Sequence, residues 1–230
     1  MSELSRESIE NSKSGVLSDI KGRKNLLVTF GGIQQGIGVP VFEFFNSVKD
    51  LSCDKIFIRD FNQTWYQQGI DEQLNTTDTI AEYLKEKIQE NAYKNICFLG
   101  NSMGGYAAIL FGLKLNVDYV ISFAPQTFYD KKSRLLNWDR RWMTQMRNIH
   151  KLQKNHSNSD LRNILTDTAG SKTRISVYYS PKHRLDNIHA KRIENYDAVT
   201  LKPVIEGGHN IVKTVRDRGE IKLILEEILN

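Results

Sequence analysis

Six short β-rich runs alternate with stretches of helical periodicity, and that alternation restricts the chain to a layered α/β fold on a parallel sheet. The runs are NLLVTF at Asn25–Phe30, KIFIR at Lys55–Arg59, NICFL at Asn95–Leu99, YVISF at Tyr119–Phe123, RISVYY at Arg174–Tyr179 and AVTLKPVI at Ala198–Ile205. Parallel neighbours cannot be joined by a tight hairpin, so each pair needs a crossover, usually a helix. Val39–Val48 reads as one such helix, with Pro40 in its first turn. Thr76-Thr77-Asp78 offers an N-cap for another, in which Ile80, Tyr83, Leu84 and Ile88 share a face. Ser102–Leu115 is a third, a fourth lies near His189–Asn195, and a C-terminal helical region is interrupted at Gly219.

At 230 residues the chain suits one domain with a full core. The expected organisation is a polar tail over 1–24, one domain over 25–230, and an insertion over 126–172 between the fourth and fifth strands. The tail lacks the apolar stretch of a signal peptide, and no run approaches a membrane span, so a cytoplasmic protein is expected. Cys53 and Cys97 are too few for a disulfide framework. The net charge of +5 is local: 126–172 holds ten Lys/Arg against four Asp/Glu, and the rest of the chain is close to neutral. One basic lobe argues less for a general nucleic-acid binder than for a solvated surface, or one that attracts an anionic substrate or carrier.

Gly100-Asn101-Ser102-Met103-Gly104 joins the third run directly to a helix and fits G-x-S-x-G. A turn that tight forces strained backbone at the serine and demands small flanking residues, which Gly100 and Gly104 supply. It holds the hydroxyl over the sheet edge, at the positive end of a helix. A serine needs a base. Of the five histidines, His150 and His156 lie in the insertion, and His183 and His189 flank a loop and a helix start. His209 alone follows the last run, in the turn Glu206-Gly207-Gly208-His209-Asn210, at the same carboxyl edge as Ser102. A carboxylate should fix the imidazole tautomer. Asp186, in the loop after RISVYY, is the candidate and Asp130 the reserve; Asp186 as a mere helix cap is the plainer alternative.

The order Ser102, Asp186, His209 and the strand–turn–helix context resemble the α/β-hydrolase superfamily over roughly residues 25–229. The resemblance implies a mostly parallel sheet of about six strands flanked by helices, with the insertion as a helical cap. It also implies an oxyanion hole from the N–H of Met103 and a second N–H in FGGI, at Gly32 or else Ile33. Phe30 stands where the family usually has His, and the family's antiparallel N-terminal strands are not evident here.

The expected activity is a serine hydrolase cleaving a carboxylic ester through an acyl-enzyme on Ser102. A thioesterase or acyltransferase working on a carrier-bound acyl group is the near alternative, and a non-catalytic binding module of the same fold the distant one. Trp65 and Tyr66 after KIFIR, and Trp138 and Trp142 in the insertion, are candidates to line the substrate pocket; packing the loop or the cap is their plainer role. Leu135, Trp138, Trp142 and Met146 are spaced for one helical face. No Cys/His spacing suits zinc, and the Gly-rich turn lacks the Lys of a phosphate loop, so neither metal nor other cofactor is expected.

Overall fold

A computed structural model describes residues 14–33, 42–152 and 157–229. Seven strands form one sheet: β1 (Val16–Asp19), β2 (Asn25–Phe30), β3 (Asp54–Ile58), β4 (Asn95–Asn101), β5 (Tyr119–Phe123), β6 (Arg174–Tyr179) and β7 (Val199–Pro203), in spatial order β1-β3-β2-β4-β5-β6-β7. All pairs are parallel except β1 with β3, where Val16 stands opposite Ile58. The six expected runs all become strands. The seventh, β1, corrects the expected tail: its VLSD is too short and mixed to read as a strand alone, and it gains its hydrogen bonds only from the edge of β3.

Nine helices are described: α1 (Phe45–Val48), α2 (Thr77–Gln89), α3 (Met103–Lys114), α4 (Lys131–Leu136), α5 (Met143–Leu152), α6 (Leu161–Asp167), α7 (Arg184–Lys191), α8 (Ile211–Asp217) and α9 (Glu220–Leu229). Residues 39–41 of the helix expected from Val39 lie outside the described residues, as do 1–13 of the expected tail and His156. Thr76 caps α2 by accepting the N–H of Thr79 at 3.0 Å, while Thr79 accepts that of Thr76 at 3.0 Å. None of the described helices is long and apolar enough to cross a membrane.

Strand alternation splits the core into two layers. Val28, Phe30, Ile56, Ile58 and Phe98 face α2, α3 and α6, while Leu27, Phe57, Leu99 and Phe123 face α8 and α9. Covered on both faces, β2 and β3 are buried from end to end. Helix α3 is apolar on every side and is buried from Met103 to Leu113. In the insertion the chain breaks between α4 and α5, with Trp138 and Trp142 both at positive φ (52° and 56°). That break corrects the expected single stripe: Met146 is buried, but Leu135 and Trp138 are exposed.

Candidate active site

Strand β4 ends at Asn101 and α3 begins at Met103, leaving Ser102 alone to make the turn at φ 53°, ψ −114°. That conformation costs a serine on the order of 1–3 kcal/mol, so the surroundings must impose it. The Ser102 N–H donates to Phe123 O at 2.8 Å, and its carbonyl accepts from Tyr106 at 3.1 Å and Gln126 at 3.4 Å. A Cβ on Gly100 would stand 2.0 Å from Gly104 O, and one on Gly104 would stand 2.1 Å from Phe30 O. Ser102 Oγ is buried and makes no hydrogen bond among the described residues. Met103 is the first residue of α3, where an N–H has no partner within the helix.

Asp186 lies in the first turn of α7 rather than in the expected loop. His183 caps that helix, its Nδ1 accepting the Asp186 N–H at 3.3 Å, and the Asp186 residue is almost completely buried. His209 sits on a 3₁₀ turn, Gly208–Asn210, with Gly207 and Gly208 at φ 92° and 54°. Its Nδ1 lies 2.7 Å from Asp186 Oδ1 and 2.9 Å from Oδ2. A carboxylate only accepts, so Nδ1 carries a proton, and in the neutral imidazole the acceptor is then Nε2. Asp130, the reserve candidate, caps α4 instead, accepting from Ser133 N at 2.8 Å.

The insertion reaches this pair through Arg141. Its Nη1 is 3.4 Å from Asp186 Oδ1, while its Nη2 donates to Asp139 Oδ2 at 2.8 Å. Asp139 in turn accepts from His189 Nε2 at 3.2 Å, and His189 Nδ1 accepts from Thr127 N at 3.0 Å. Burial pushes the His189 imidazole down to about 4, keeping it neutral, although Asp139 pulls the other way. Asp139 is held well below the usual carboxylate range: its hydrogen bonds to His189 and Arg141 outweigh burial, the largest single influence and an opposing one.

Of the expected oxyanion donors, Gly32 is already engaged: its N–H donates to Glu43 Oε2 at 2.8 Å, and Asn101 Nδ2 donates to Glu43 Oε1 at 2.8 Å. Ile33, the other residue named for that role, follows directly. Glu43 thereby ties the loop after β2 to the residue before Ser102, and burial pushes its carboxyl up. Sequence reasoning missed it; the signal was a lone acid inside the apolar stretch VPVFEFF.

The aromatic candidates differ in their surroundings. Trp65 and Tyr66 are fully buried. The Tyr66 hydroxyl donates to Gly31 O at 2.8 Å, which steadies the loop after β2. The preceding turn is wound on Asp60, which accepts from Asn62, Thr64 and Tyr66 N–H at 2.8, 2.7 and 2.9 Å. Burial raises the Asp60 carboxyl to about 6. Trp142 packs partly buried against the core, and Trp138 is exposed. Cys53 and Cys97 are free and buried, Cys97 within the core as expected.

His183, Asp186 and His209 each offer one ligand atom, all within 4.8 Å of one another, the one such group among the described residues. A cation there would have to part the 2.7 Å contact between His209 and Asp186 and face the Arg141 guanidinium. The donor set therefore fits a proton-sharing pair better than a metal site.

No family model and no curated protein sequence matches this chain. Solved structures do. The capsule O-acetyltransferase of Neisseria meningitidis serogroup A is similar at a TM-score of 0.69 and 19% identity, over 96% of this chain and 99% of that one. FphF, a fluorophosphonate-binding serine hydrolase of Staphylococcus aureus, is similar at 0.63 and 15% identity, over 98% and 89%. An α/β hydrolase from lagoon-sediment metagenome, MGS-MChE2, is similar at 0.55 and 17% identity, over 92% of each chain.

Proposed function

We propose that this chain, which has the α/β-hydrolase fold, is a serine hydrolase that cleaves a carboxylic ester through an acyl-enzyme on Ser102. The observation that carries the proposal is the 2.7 and 2.9 Å seating of His209 Nδ1 on buried Asp186, at the sheet edge where Ser102 turns. His209 Nε2 takes the Ser102 proton as Oγ attacks the acyl carbon, and the Asp186 carboxylate stabilises the imidazolium that forms. Gly207 and Gly208 flank the histidine with the backbone freedom to bring Nε2 to the hydroxyl. The oxyanion is held by the N–H groups of Met103 and Ile33, a donor of this kind lowering the barrier by about 3 kcal/mol. His209 returns its proton to the departing alcohol. Water activated by the same nitrogen then attacks the acyl-enzyme, releasing the acid and restoring Ser102. Gln126, one backbone hydrogen bond from Ser102, has both amide atoms buried and unpartnered among the described residues, and is proposed to contact the substrate.

A second reading, acyl transfer to an alcohol, is favoured by the likeness to the capsule O-acetyltransferase along nearly the whole of both chains. Another structure of that acetyltransferase holds CoA. The two readings share every step up to the acyl-enzyme and differ in what attacks it. The test is covalent labelling with a fluorophosphonate, read by intact mass, beside turnover of short p-nitrophenyl esters and thioesters with and without added alcohols. Labelling should vanish in Ser102→Ala, and turnover should fall about 10⁴-fold in Asp186→Asn, where the wrong tautomer is held. A folded wild-type protein that no fluorophosphonate labels would refute both readings, whereas product partitioning to the alcohol would select the second.

A further inference from the structure

The insertion carries a surface that the proposed chemistry does not use. Helix α4 and the break after it expose large apolar side chains within a few residues: Leu135 at 78%, Leu136 at 69%, Trp138 at 71% and, opening α5, Met143 at 50%. Leu135 and Leu136 are neighbours on a six-residue helix, about 100° apart around its axis, so they stand up as a crest. Behind them lies a groove of about 640 Å³ whose apolar lining is Leu135, Trp138, Met143 and Met146. A soluble domain seldom exposes so much contiguous apolar surface without a use for it.

Charge says what the surface meets. The acidic residues nearby are already engaged: Asp130 caps α4, Asp139 pairs with Arg134, Arg141 and His189, and Asp160 pairs with Arg162 and Arg192. Lys131, Lys132, Arg140, Arg147 and Lys151, by contrast, form no ion pair among the described residues. Four of these cations, Lys131, Arg140, Arg147 and Lys151, also line the groove, and the Arg140 guanidinium sits 5.5 Å from the centre of the Trp138 ring. The occupant must therefore offer apolar depth and negative charge together. The groove could seat one anchor of a partner helix, but exposed Leu136 and unpaired Lys132 lie outside its lining, so a helix in the groove leaves part of the face uncovered. A bilayer accepts projecting side chains at its headgroup–acyl boundary while its phosphates take the cations.

We propose that the α4–α5 face is a docking surface for an anionic lipid bilayer, with Leu135, Leu136 and Trp138 entering the interface and Lys131, Lys132, Arg140, Arg147 and Lys151 bound to headgroup phosphates. This assignment is independent of what the Ser102 site does. Peripheral docking of this kind requires no spanning helix, since the apolar depth comes from three side chains and the remaining affinity from charge.

The test is flotation of the full chain with vesicles of phosphatidylcholine alone and with about one-third phosphatidylglycerol, in low and high salt. Binding should be at least about tenfold tighter on the anionic vesicles and should weaken with salt. A Lys131→Glu/Lys132→Glu variant should lose the preference for anionic lipid, and a Leu135→Ser/Leu136→Ser variant should lose binding on both. Tryptophan emission should shift to the blue on anionic vesicles in the wild type and fail to do so in Trp138→Phe. Because these side chains are exposed, each variant should keep the wild-type melting temperature, so lost binding reads as lost docking. Absence of vesicle binding by the wild type, or binding unaltered in all the variants, would overturn the proposal. So would sedimentation showing that the wild type self-associates through this face and that Leu135→Ser/Leu136→Ser abolishes it.

Discussion

Ser102 holds its position because two glycines let backbone meet backbone around it. The Cβ of an alanine at 100 would lie 2.0 Å from Gly104 O, and at 104 it would lie 2.1 Å from Phe30 O, and neither neighbour is a side chain that can turn away. Gly105 differs, since its added Cβ would first meet Ser122 Oγ at 2.6 Å, a rotatable hydroxyl. Gly100→Ala and Gly104→Ala should therefore each destabilise the protein by about 4 kcal/mol or more, and Gly105→Ala by clearly less. Urea denaturation of the three variants checks the ranking; a Gly104→Ala protein as stable as wild type would mean that the turn is looser than these contacts require. This much was legible in the sequence, because G-x-S-x-G between an apolar run and a helix has few other geometries. Glu43 was not, since its partners at Gly32 and Asn101 lie 11 and 58 residues away in the chain.

Elements decide what single residues cannot. Asp186 was expected in a loop because no Ser, Thr, Asp or Asn heads α7; His183 takes the capping role, and the helix begins before the sequence signals it. That helix places Asp186 toward His209 and, one turn on, His189 toward Asp139, so one short element serves both the reacting pair and the insertion. Arg141 closes the circuit between them, touching Asp139 at 2.8 Å and Asp186 at 3.4 Å. On the proposed function it is a positioning residue, keeping the Asp186 carboxylate aligned on His209. Arg141→Gln should lower kcat about ten- to a hundredfold, with Arg141→Lys recovering only part, because a lysine keeps the charge but not the fork. Equal turnover by wild type and a folded Arg141→Gln protein would separate the insertion from the chemistry.

At the scale of the whole molecule, two buried groups tie stability to pH in opposite directions. His189 titrates at about 4 when folded against the usual 6.5, so between those values the unfolded chain binds the extra proton and stability rises with pH. Asp60 titrates at about 6 against the usual 3.8, so there the folded chain holds the extra proton and stability falls as pH rises. From about pH 4 to 6 the two slopes offset each other. His189→Gln removes the first, so the deficit of this variant relative to wild type should widen from about pH 4 to pH 7, by roughly 3 kcal/mol at most. Urea denaturation at both ends of that range tests it; a deficit independent of pH would mean that His189 is not buried neutral.

The chain's pattern by itself determined the parallel sheet, the turn at Ser102, and the placing of Asp186 and His209 at one edge. These follow from period-2 apolar runs, glycine spacing and the rule that residues after parallel strands share an edge, all of which are local or topological. Only the tertiary structure decided that VLSD is a strand, that Trp65 and Tyr66 belong to the core, that Gly32 gives its N–H to Glu43, and that the insertion turns Leu135, Leu136 and Trp138 outward. Three of those outcomes are settled by a partner elsewhere in the chain, namely the open edge of β3, the Gly31 carbonyl and the Glu43 carboxylate, and the fourth goes with the backbone break at Trp138 and Trp142. Local propensity is silent about such partners, because the energy that selects them exists only once the sheet has brought the segments together.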